Sequence, residues 1–126
     1  MFLIHTTDDG RIPGFEYLPA AAITPKAGMA LVVNNGNLAV ATGTTKPTYI
    51  SMANRDSAVT AGDLIPVVRV QPDMIFEVPF TADGSSLKVG QKVTVHTDGL
   101  QVTTNATDGI AEIVENLGTK ARVRFA

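Results

Sequence analysis

The sequence predicts an all-β fold, a small β-barrel or β-tulip-like domain of short antiparallel strands with an extended N-terminal arm. Three observations carry this expectation. Among the 126 residues are 15 Thr and 14 Val, β-branched types that suit a pleated, half-buried surface better than a helix. Eleven Gly and seven Pro interrupt the chain at short intervals, where tight turns need them. No window holds a helical apolar period beyond a turn or two, whereas period-two alternation recurs.

The arm covers residues 1–27. Pro13, Pro19 and Pro25, with Gly10 before them and Gly14 between them, stop any long helix, the prolines by removing backbone donors. Phe2, Leu3, Ile4, Ile12, Phe15, Tyr17 and Leu18 nevertheless make it too apolar for a solvated linker. Such a segment lies either along a partner's surface or as an edge strand on its own domain.

Residues 28–126 read as a single β domain. Met29 to Val33 and Leu38 to Thr42 flank Asn34-Asn35-Gly36-Asn37, a hairpin signature because Asn and Gly tolerate positive φ. Thr48 to Met52, Leu64 to Val70 and Met74 to Phe80 are further strand runs. Pro66 and Pro79 inside them suggest edge positions or bulges, since Pro cannot donate to a ladder. Asp98-Gly99 predicts a hairpin pairing Thr97 with Leu100, His96 with Gln101 and Val95 with Val102, the two valines sharing one face. Ile110 to Asn116 and Lys120 to Phe125 close the domain around Leu117-Gly118. In the last strand alternation puts Ala121, Val123 and Phe125 inward and Arg122 and Arg124 outward, where the arginines read as a solubilising edge. Eight or nine short strands result.

Composition also narrows function. With 12 acidic and 10 basic side chains the net charge is −2, which lacks the basic stripe that phosphate-backbone binding needs. No Cys is present, which excludes disulfides, thiol nucleophiles and thiolate zinc sites. Met1-Phe2-Leu3-Ile4 is too short an apolar run for a signal peptide or a membrane span. The protein is therefore expected in the cytoplasm where it is made, or carried on something larger. Asn105-Ala106-Thr107 is then a chance sequon.

Catalytic candidates are thin. His5 lies in the arm and His96 on the polar face of a hairpin, and no serine occupies a G-x-S-x-G elbow. Most aspartates adjoin Gly or Pro and read as turn formers. Asp8-Asp9-Gly10 lacks the alternating oxygen ligands of a calcium loop, and no phosphate-binding glycine motif occurs. Tyr49, Ile50, Met52, Met74, Ile75 and Phe76 read as core before they read as a ligand pocket. The expectation is a protein that is no enzyme and takes no cofactor or metal, leaving an interaction module or a structural subunit.

Two stretches then carry a family resemblance. Ile23-Thr24-Pro25-Lys26-Ala27-Gly28-Met29-Ala30-Leu31-Val32-Val33, followed by Gly36-Asn37-Leu38-Ala39-Val40-Ala41 and Gly43-Thr44-Thr45, resembles the lambda-type head decoration proteins of tailed bacteriophages. Val59-Thr60-Ala61-Gly62-Asp63, Val89-Gly90-Gln91-Lys92-Val93, Asp98-Gly99-Leu100, Gly109-Ile110-Ala111 and Val123-Arg124-Phe125 resemble a wider set of small capsid-associated proteins. The resemblance implies a β-tulip or barrel-like subunit on the capsid exterior, a homotrimer at three-fold or quasi-three-fold positions, bound to the major capsid protein. It implies no direct contact with nucleic acid or membrane. In that setting Phe2, Ile4, Phe15 and Tyr17 are the expected capsid contacts. The rival readings are a phage tail or baseplate β-domain that binds a glycan or protein, and an accessory β-barrel of a bacterial complex.

Overall fold

A computed structural model describes residues 1–7 and 10–125; Asp8 and Asp9, read above for a calcium loop, lie outside the described residues. These residues form ten strands and no helix, so none has a helix long and apolar enough to cross a membrane. The strands are β1 (Leu3–Thr6), β2 (Glu16–Pro19), β3 (Ala30–Asn34), β4 (Asn37–Val40), β5 (Tyr49–Ser51), β6 (Leu64–Arg69), β7 (Ile75–Pro79), β8 (Lys92–Val93), β9 (Ala111–Asn116) and β10 (Lys120–Arg124). They make two five-stranded antiparallel sheets, β1-β7-β10-β9-β8 and β2-β6-β5-β3-β4. The fold is all-β, as the composition implies.

No single barrel closes. The second sheet curls until Ala20, just past β2, meets Leu38 of β4 in one parallel bridge, with the Ala21 N–H donating to the Leu38 carbonyl at 2.9 Å. Isolated bridges Gly43–Val95, Val95–Val102 and Val102–Phe80 stitch the two sheets along one side.

Two apolar clusters result, and the curled sheet separates them. Between the sheets lie Phe2, Ile50, Val68, Met74, Phe76, Val78, Ile113, Val123 and Phe125, among others. The opposite face of the curled sheet buries Met29, Leu31, Leu38, Tyr49, Ile65 and Val67 beneath Ile23 and Val59. That cover is tied in place by the Val59 N–H donating to the Ile23 carbonyl at 2.9 Å and by Arg55 N–H to Pro25 C=O at 2.8 Å. A sheet covered on both faces needs apolar side chains of both parities, which is why Ala30-Leu31, Tyr49-Ile50 and Val67-Val68 are buried as adjacent pairs.

The β3–β4 hairpin closes through Asn35 and Gly36 at φ 51° and 80°, with Asn34 paired to Asn37, the primed turn that the strand twist favours. Val95 and Val102 pair as expected and both are buried. The turn between them is looser than a two-residue loop. The Gly99 N–H donates to the His96 carbonyl and the Leu100 N–H to the Asp98 carboxylate, so Thr97 and Leu100 do not pair.

Both prolines sit on interior strands, not edges. Pro66 faces β5 just past its end at Ser51: its carbonyl accepts the Met52 N–H at 2.9 Å, and no strand residue there requires the missing donor. The Pro79 carbonyl accepts the Val102 N–H at 3.0 Å beyond the end of β1. β10 is the central strand of its sheet, so Arg122 and Arg124 stand mid-face, not on an edge. Ala121, Val123 and Phe125 are buried as the alternation requires.

Candidate docking surface

The segment read as an arm is woven into its own domain. β1 pairs with β7 in one sheet, and β2 pairs with β6 in the other. β1 and β2 stand at the ends of their sheet orders, and the outer side of β2 meets β4 at the Ala20–Leu38 bridge.

The four expected contact residues separate on this frame. Phe2 is 1% exposed. Its ring lies 6.3 Å from that of Phe76 and 5.5 Å from that of Phe125, and its N–H donates to the Gly28 carbonyl at 2.9 Å. Its side chain is thus a core group of this chain. Ile4 shares its parity and is half-buried against the same cluster. Phe15 and Tyr17 are 56% and 62% exposed. Sequence reasoning missed two neighbours, Ile12 and Leu64, which are also largely exposed. Nothing in the local pattern distinguishes them from core residues, because their exposure depends on where the distant sheet ends.

Two clefts border β1. A cleft of about 260 Å³ is lined by Phe2, Leu3, Ile4, Ile12, Gly28 and Met52, among others. A second, of about 350 Å³, continues from Ile4 and Ile12 past His5, Thr6 and Thr7. The Met52 N–H donates to the carbonyl of Pro66, the cross-strand partner of Tyr17. Tyr17, Pro19, Leu64 and Pro66 share one strand parity and so one face, and Phe15 precedes them. Contiguous exposed apolar surface of this kind marks an interaction site more often than chance.

The opposite surface is charged and self-neutralised. On the outer face of the β1-β7-β10-β9-β8 sheet, Glu77 accepts from Lys120 at 3.2 Å and lies 3.5 Å from Arg122, Arg122 meets Glu115 at 2.5 Å, and Arg124 meets Glu112 at 2.5 Å. The hydrogen bond from Lys120, aided by Arg122, holds the Glu77 carboxyl below its ordinary pKa. Cations already paired with carboxylates offer little to an anionic ligand. Beside β2, Arg69 donates twice to Glu16 at 3.0–3.1 Å and stacks 5.1 Å from the Tyr49 ring, and the Glu16 hydrogen bond raises its pKa.

The remaining chemical candidates stay apart. His5 sits exposed at a register shift in β1, and His96 is half-buried opposite Gln101. Burial pushes the Asp98 carboxyl upward, but the Leu100 N–H and the Gln101 amide outweigh it and leave its pKa below the ordinary value. Asp83 caps its own turn through Ser85, whose hydroxyl lowers its pKa. Among the described residues no group of three His, Asp or Glu could hold a metal ion. Tyr49, Ile50, Met74 and Phe76 are core. No known family model and no curated protein matches the chain.

Proposed function

We propose that this protein is a structural virion subunit that decorates a phage capsid, binding the outer surface of the major capsid protein lattice as trimers at three-fold or quasi-three-fold positions. The observation that carries the proposal is the pair of exposed aromatic residues Tyr17 on β2 and Phe15 just before it, together with the cleft lined by Ile4 and Ile12. A shell under internal pressure gains stability from a clamp across neighbouring subunits, and such a clamp needs adhesion without chemistry. An open sheet edge supplies main-chain hydrogen bonds to an extended segment of a partner. Three identical weak contacts in one trimer reinforce each other through effective concentration. The segment resemblances to lambda-type decoration proteins support the same reading.

Deleting residues 1–18 would not test it, because the deletion removes Phe2 from the core and β1 and β2 from both sheets. The informative variant is Phe15→Ser with Tyr17→Ser, which leaves the core intact. Capsids lacking this protein should co-sediment the wild type at a fixed ratio and the double variant at least about tenfold more weakly, roughly the loss of two exposed aromatic contacts. Equal co-sedimentation would reject these residues as the contact, and no co-sedimentation of the wild type would reject decoration.

A further inference from the structure

We infer that Asn35, at the tip of the β3–β4 hairpin, is a self-modifying site, where the Gly36 nitrogen displaces the side-chain amide as ammonia whenever the hairpin opens. This inference goes beyond the capsid reading and does not depend on it. The tip is exposed from Val33 to Gly36. Asn34 and Asn37 pair across the turn, and among the described residues the Gly36 N–H has no backbone acceptor. Glycine also leaves that nitrogen unshielded, having no side chain beside it.

The other candidate positions are disarmed. No other asparagine precedes a glycine. Asn54 and Asn105 each accept a backbone N–H through Oδ1. Asn116 accepts from the Gly118 N–H and donates to the carbonyls of Gly84 and Leu87. The Asp-Gly pairs have no ammonia to lose. In two of them the glycine N–H is also engaged, Gly84 on the Gly118 carbonyl and Gly99 on the His96 carbonyl.

The step balances with water as the only co-reactant and no change of oxidation state. The Gly36 N–H gives its proton to solvent base, the nitrogen bonds to Asn35 Cγ, and the Cγ–Nδ2 bond breaks with ammonia as leaving group. Water then opens the cyclic imide. Cleavage of the new bond gives aspartate, and cleavage of the original peptide bond gives isoaspartate, with the main chain routed through Cβ. Either product adds one negative charge to the net −2.

The native turn withholds this reaction. Ring closure needs the Gly36 nitrogen on the Cβ side of Asn35. With Asn35 at φ 51° in a primed turn, a ψ of about +30° sets that nitrogen almost trans to Cβ. Rotation to the reactive conformer breaks the Asn34–Asn37 pair, so the hairpin must open. Opening is resisted further along β4, where Leu38 is fully buried and its carbonyl holds the Ala21 N–H. Isoaspartate adds a backbone atom to the two-residue loop, so the primed turn cannot re-form and the change is one-way.

Timed incubation of the full chain in mildly alkaline buffer, with and without denaturing guanidinium chloride, tests this through released ammonia and the masses of proteolytic fragments. In denaturant Asn35 should be the first asparagine modified, giving both aspartate and isoaspartate, and Gly36→Ala should slow the reaction by shielding the nitrogen. In buffer the wild type should react at least about tenfold more slowly at this site, because only the locally opened fraction is competent. Leu38→Ala, which loosens β4 by leaving a cavity, should raise the rate in buffer several-fold and leave the rate in denaturant unchanged. The wild-type comparison stands whether or not that variant folds. Earlier modification of another asparagine in denaturant, an unslowed Gly36→Ala variant, equal wild-type rates in buffer and denaturant, or a folded Leu38→Ala variant no faster than wild type in buffer would each overturn the inference.

Discussion

Replacing Phe2 by Ala tests most sharply whether the first residues serve the core or a partner. The side chain is 1% exposed and completes a ring cluster with Phe76 and Phe125, whose own centroids are 5.6 Å apart. Truncating a buried Phe costs about 3–5 kcal/mol, combining lost transfer energy with the cavity left behind. Unfolding entropy of about 2.1 cal/mol/K per residue gives roughly 0.26 kcal/mol/K for this chain, so a loss of ~4 kcal/mol lowers Tm by about 15 °C. Urea unfolding should show that loss with an unchanged m-value. Phe15→Ala, at an exposed position, should stay within about 0.5 kcal/mol of wild type. A Phe2 variant that loses less than ~1 kcal/mol, or a Phe15 variant that loses as much as Phe2, would refute the assignment of Phe2 to the core.

Two further outcomes follow from turn geometry. A Cβ on Gly109 would lie 2.0 Å from the Lys92 carbonyl oxygen, so Gly109→Ala should cost more than ~3 kcal/mol or prevent folding, whereas Gly118→Ala meets open space at φ 88° and should cost about 1–2 kcal/mol; thermal unfolding of the pair checks the contrast. Asp98 has a folded pKa below its unfolded value, so its contribution is present above the unfolded pKa and lost as pH falls through the folded one. Solvent screening keeps that contribution to about 0.5–1 kcal/mol, and Asp98→Asn should flatten that part of the stability–pH curve measured below pH ~4.

Local elements were legible because their signals are local. Asn35-Gly36 specifies the β3–β4 hairpin, the parity of Val95 and Val102 specifies their bridge, and the alternation from Lys120 to Phe125 specifies which side of β10 is buried. Pairing over long distances was not legible. Nothing near Phe2 or Tyr17 says that one strand joins β7 and the other β6. Pro66 and Pro79 look like edge markers until the ends of β5 and β1 show that no donor is needed there. The candidate surface was half visible for the same reason: the aromatic residues of the first segment stand out, but which of them is exposed depends on partners some fifty to seventy positions away.

That wiring also sets an order of events during synthesis. Ile4 waits for Phe76 and Tyr17 for Pro66, so the first nineteen residues leave the ribosome well before either partner strand exists. At about 5–20 residues per second the delay for β1 is on the order of ten seconds, and until β6 is made Phe2, Phe15 and Tyr17 are all unpaired. The apolar residues that later divide between core and surface begin in one sticky nascent segment. Only when β7 and then β10 with Phe125 are complete are they separated, Phe2 being buried and Phe15 and Tyr17 left outside.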